Sequence, residues 1–217
     1  MTLIPFGEKI KEGLELSKKV EEFAFELKRK LPKVNDLNKA ESQRIKVARA
    51  FLISESKLCR QIVFAVSKNC LDLALIGLRT MLEFDINADY IFNHPNHKND
   101  LKWVDSLCND IFKRTNDLGM LKSKLGGFSL KDRAKDVGCS EFYKKNYASL
   151  SSYVHLMLEQ SYVQEDGEFE KLSLAVVSQA LCILLDVIGS IAKFHNLQID
   201  GKLLKEIISY RNRYESK

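Results

Sequence analysis

The chain has 217 residues, long enough for one large domain with its own core, and 34 Lys/Arg against 29 Asp/Glu give a net charge of +5. Ten glycines and three prolines are too few for the turns of an all-β fold, and no stretch is repetitive or of low complexity. The five cysteines are scattered without a CxxC pair, which argues for reduced, mostly buried thiols and against a structural zinc site.

Helical periodicity dominates from one end to the other. It predicts a first helix over 8–31, with Leu14, Leu16, Val20, Phe23 and Leu27 facing inward and Pro32 closing it. A long second helix is expected over 38–67. Asn69 is positioned to cap a third, Leu71 to Phe92, stopped by Asn93-His94-Pro95. A fourth should span 99–124 and end at Gly126-Gly127. Ser129 caps a short helix to Val137, terminated by Gly138, and Ser140 caps the next. A polar loop, QEDGEFE at 164–170, precedes helices over 171–195 and 201–214. The expectation is a single-domain all-α bundle of about seven or eight helices spanning 1–217. Residues 1–68 form a basic amino-terminal helical pair, and 69–217 form the core.

The third helix and the one from 171 are apolar nearly all round, so both should be central. The second of them is long enough to span a bilayer. It contains Gln179 and Asp186, however, and an aspartate at bilayer centre costs about 2.5–3.5 kcal/mol on insertion scales. Both therefore read as core helices, with no membrane partner. The amino terminus has no signal-peptide pattern, and a cytoplasmic location is expected.

The positive charge is uneven: residues 1–68 carry 15 Lys/Arg against 9 Asp/Glu, the remainder 19 against 20. Lys28, Arg29, Lys30, Lys33, Arg44, Lys46 and Arg49 supply the excess. Without interleaved aromatic residues this reads as a solvated helix surface, with nucleic acid as the competing partner. The long first helix is also a candidate to pack on a second copy, giving a homodimer.

Polar residues on central helices must be paired or they are costly. Arg79, Glu83, Asn87 and Tyr90 share one face of the third helix. Tyr147, Ser151, His155 and Glu159 stand four residues apart in YASLSSYVHLMLEQ, among apolar neighbours. The economical inference is that the two stripes face each other, joined by Asp186 from the 171–195 helix. The first reading of such a cluster is a satisfied network that sets helix register. The competing reading is acid–base chemistry on a phosphodiester: His155 moves a proton, Arg79 holds the phosphate, and Tyr147 or Ser151 orients the substrate. A third reading, a metal held by His155, Glu159 and Glu83, lacks the Glu-x-x-His repeat of bundle-core metal proteins, so no metal or cofactor is expected. His94 and His97 bracket a proline turn without further ligands nearby. His195 fits simple electrostatics at a helix end. Phosphate-loop and nucleophile-elbow motifs are absent.

GLRTMLEFDINADYIF followed by LKDRAKDVGCSEFYKKNYASLSSYVH resembles a widespread, uncharacterised all-helical family. Its members carry Arg-x-x-x-Glu on one helix and Tyr-x-x-Leu-Ser-x-x-x-His on a later one. The matching residues here are Arg79 and Glu83, then Tyr147, Leu150, Ser151 and His155, with Arg133 and Tyr143 in the lead-in. The likeness covers roughly residues 50–195. The family's layout is distantly similar to HEPN domains, helical bundles of toxins and defence systems, several of which cut RNA. The Arg-then-His spacing of those nucleases is absent at all four histidines. The resemblance thus implies a helical interaction or regulatory module tied to stress or phage defence. The alternative is a metal-independent, phosphodiester-handling enzyme centred on His155, Arg79, Glu83, Tyr147 and Ser151.

Overall fold

The computed structural model describes residues 5–34, 37–93, 124–125, 128–148, 150 and 166–214. The fold is all-α, with seven α-helices among these residues. They are α1 (Phe6–Lys30), α2 (Lys39–Ser67), α3 (Leu71–Phe92), α4 (Leu130–Asp136), α5 (Ser140–Phe142), α6 (Asp166–Phe194) and α7 (Gly201–Tyr214). A π-helical turn, Tyr143–Ala148, continues α5. A two-residue antiparallel ladder pairs Lys124–Leu125 (β1) with Phe128–Ser129 (β2), so the expected helix over 99–124 does not include Lys124. The rest of that helix, and the Gly126-Gly127 stop, lie outside the described residues.

The termini of the long helices follow from local chemistry. Pro32 forces Leu31 into an extended conformation (ψ 140°), which ends α1. Lys28, Arg29 and Lys30 fill its last turn, where the helix dipole favours cations. Asn38 starts α2 by accepting the Glu41 N–H at 2.9 Å. Asn69 does not cap α3. It takes a left-handed φ of 57° and closes α2, with Asn69 N–H donating to Val66 O and Cys70 N–H to Ala65 O. Asparagine tolerates that conformation and so terminates a helix as glycine does. Gly138 (φ 78°) ends α4 through the same pair of bonds, and Asn196 (φ 54°) ends α6. Ser129 forms a full capping box with Asp132 at the head of α4. Cys139 occupies the cap position expected of Ser140, without a side-chain capping bond.

Helix α6 begins at Asp166, five residues earlier than expected, so much of QEDGEFE is helical rather than loop. Phe169 explains why: it packs edge-on against Phe6 and anchors that turn to α1. The central positions of α3 and α6 are as expected. Helix α3 packs on α2, α4 and α6, and α6 packs on α1, α2, α3 and α7. Together with the inner faces of α1, α2 and α7 they form one continuous apolar core. The segment 169–194 is apolar and long enough to cross a membrane, yet most of it is buried against the other helices, as a core helix is.

A candidate polar site on the third helix

The third helix turns a polar edge toward the segment after α5, and the two meet through Tyr147. Leu130 and Ala134 of α4 bury against Ile86, and Tyr143 and Tyr147 pack on that small cluster. This holds the π-turn over α3 one helical turn from Glu83 and two from Arg79. Tyr143 and Tyr147 lie four residues apart on this turn, close to the same face. Tyr143 and Tyr147 accordingly stack, with centroids 5.1 Å apart and planes 20° apart.

The Tyr147 hydroxyl accepts from Arg79 Nη2 at 3.1 Å and donates to Glu83 Oε1 at 2.7 Å. Arg79 Nε lies 3.8 Å from Glu83 Oε1, and its guanidinium sits 5.2 Å from the centre of the Tyr147 ring. The Arg79 and Glu83 side chains are 30% and 21% exposed, so the cluster is neither sealed nor a surface pair. Burial, and then the bond to Glu83, push the Tyr147 phenol above its ordinary value. The phenol therefore keeps its proton and donates it in the hydrogen bond to Glu83. Beside it, Gln179 of α6 donates to Asn146 Oδ1 at 3.0 Å, which ties the π-turn to a second central helix.

Of the expected residues, then, Arg79, Glu83 and Tyr147 are brought together. Ser151, His155 and Glu159 lie outside the described residues. Asn87 and Tyr90 are buried deeper along α3, and Tyr90 feels Asp136 and Arg133 of α4 rather than the Arg79 pair. Among the described residues Asp186 is not linked to Arg79, Glu83 or Tyr147. Its charge acts on Asp85, and its own carboxyl is raised by burial, lowered by Arg211 and raised by Asp89. The reason is register. Residues 85 and 89 sit on a different face of α3 from 79 and 83, and it is that face that α6 covers. There Asn93 Nδ2 donates to Asp89 Oδ1 at 2.7 Å and to Ser190 Oγ of α6 at 2.9 Å.

Two further expectations change. Arg44 is buried, with its guanidinium 4.8 Å from the Phe194 ring centre, and does not belong to a basic surface. Arg49 donates to the Pro32 carbonyl at 3.0 Å and braces the α1–α2 corner. Arg29, Lys30, Lys33 and Lys46 remain exposed. His195 is not held charged by the helix end, because burial and then Arg44 lower its pKa. Two grooves between α1 and α7, of about 410 and 250 Å³, share Lys19, Lys202 and Glu206 and lie away from the polar cluster. Among the described residues no three His, Cys, Asp or Glu side chains are placed to hold a metal ion.

Sequence reasoning did not single out Glu55. It is fully buried on α2, and neither carboxyl oxygen has a hydrogen-bond partner. The signal was present in the spacing Leu52, Glu55, Cys59, Ile62, Val66, a run of three- and four-residue steps that places the glutamate in the apolar seam. No protein family matches the chain, and no curated protein or solved structure is significantly similar to it, so the likeness to the uncharacterised helical family rests on the quoted motifs.

Proposed function

We propose that the protein is a helical interaction or regulatory module that engages a protein partner through its α2–α3 end. The Arg79–Tyr147–Glu83 cluster is then its internal clasp. The carrying observation is exposure. Phe64, Leu73 and Ile76 stand 55%, 63% and 43% exposed on consecutive helices, and Phe64 and Leu73 are the most exposed of the large apolar side chains described, ahead of Ile199, Leu204 and Ile208 by α7. Large apolar side chains gathered at one end mark contact surfaces more often than accidents. The clasp supports the same reading, since the Tyr147 hydroxyl is already engaged on both sides.

A photo-crosslinking residue at position 73, introduced in living cells, should capture one defined protein, and Ile76→Lys should abolish the adduct. The purified pair should then bind, and the same substitution should weaken that binding. A second reading, a metal-independent phosphodiester-handling enzyme, is favoured by one observation. Arg79 keeps solvent access beside the stacked Tyr143 and Tyr147, a cationic and aromatic edge of the kind that meets phosphate and base. Chelator-resistant cleavage of RNA by the purified protein, lost in His155→Ala and retained in Leu73→Lys, would overturn the interaction-module reading.

A further inference from the structure

Among the described residues Glu55 is the one buried glutamate, and nothing in the clasp or the contact surface uses it. Both of its oxygens are buried without a partner. The charged group that acts on it is Asp85, across the α2–α3 interface. Asp85 in turn faces Asp186 of α6 and Asp89 of its own helix. Cys139, from the α4–α5 link, completes that side, its thiol 4.0 Å from Asp89 Oδ2. Arg211 of α7 reaches Asp186. On α2 itself the neighbouring titratable group is Cys59, buried one turn on and also sensing Cys182 of α6 and Glu21 of α1. Among the described residues neither Glu55 nor Asp85 forms an ion pair or a hydrogen bond.

A fully buried carboxyl with neither oxygen partnered, and with a second carboxyl rather than a cation acting on it among the described residues, is held in its protonated form. The closed packing of α3 on α2 therefore requires protons. We propose that Glu55 and Asp85 form a proton-operated latch between α2 and α3: protonated, they let α3 seat against α2, and on ionisation they release it. The proton goes to solvent and no other group is consumed.

Burial, then Asp186 and Asp89, raise the Asp85 carboxyl to about 8, and burial, then Asp85, raise Glu55 well above its ordinary value. A carboxyl raised in this way contributes stability that is complete below its unfolded value, near 4, and is lost as pH rises toward the folded value. The latch thus loosens across roughly pH 4 to 8. The opening equilibrium of α3 should rise by up to about tenfold per pH unit for each participating carboxyl.

Amide hydrogen exchange of the full chain, corrected for intrinsic rates and followed from pH 5 to 8, reads this directly. The expected result is that α3 opens progressively while α1 and α7 keep their protection. Asp85→Asn and Glu55→Gln mimic the protonated groups and should each flatten the α3 profile. If Glu55→Gln fails to fold, Asp85→Asn, at the more accessible position, carries the comparison. Loss of protection spread evenly over α1, α3 and α7 would make the acids a global stability effect and overturn the latch. So would an α3 profile whose slope is unchanged in Asp85→Asn.

Discussion

Replacing Tyr147 by phenylalanine removes one oxygen and leaves the ring, its stack on Tyr143 and the Arg79 guanidinium above it in place. What is lost is a hydroxyl bonded to two charged groups, at 3.1 Å and 2.7 Å. Hydrogen bonds to charged partners contribute about 1.5–3 kcal/mol each when dry. Arg79 and Glu83 keep 30% and 21% of their side-chain surface, so water takes over part of each bond and the expected loss falls to about 1–2 kcal/mol in total. For a chain of this size that lowers the melting temperature by roughly 2–8 °C. Reversible urea unfolding followed by circular dichroism measures it, and a double-mutant cycle with Glu83→Met, which has no oxygen to accept the bond, isolates the shared bond. The coupling should be about 0.5–1.5 kcal/mol. A Phe variant as stable as the parent, with additive behaviour in the cycle, would refute the clasp. The hydroxyl would then be retained for chemistry.

Other substitutions test the packing. A Cβ on Gly189 of α6 meets nothing within 4 Å, so Gly189→Ala should stabilise by about 0.5–1 kcal/mol through helix propensity alone. A Cβ on Gly77 would lie 2.7 Å from Ile62 Cγ1, in the buried α2–α3 crossing. Gly77→Ala should destabilise despite the same propensity gain, by about 1–2 kcal/mol net, and equal melting temperatures for the two variants would refute this reading of the crossing. Asn38→Ala removes the α2 cap and should cost about 1 kcal/mol in a urea titration. Asn69→Gly should be neutral or stabilising, whereas Asn69→Val, forced into a left-handed conformation, should cost about 1–2 kcal/mol by the same measurement.

The sequence by itself determined the helical class and the central pair of helices, because apolar residues at three- and four-residue steps have one economical burial and α3 and α6 are apolar nearly all round. It also determined the pairing of Arg79 and Glu83, which are neighbours on any helix, and the stops at Pro32 and Gly138, which are properties of single residues. What it left open depended on which faces meet. That Tyr147 reaches across to both Arg79 and Glu83 was an inference from two stripes. The structure supplies the means, a π-turn seated on Ile86 by Leu130 and Ala134. Among the described residues Asp186 acts on Asp85 and Asp89 rather than on Arg79 and Glu83, since periodicity states that a residue lies on a face and is silent on which face of α3 that face covers. Arg44 looked like surface charge because a cation in a basic run is usually solvated, and only packing places Phe194 beneath it. Glu55 shows the same division. Its spacing marks the apolar seam of α2, but only the approach of α3, bringing Asp85 to the same interface, turns a misplaced glutamate into a pair of carboxyls that must share their environment.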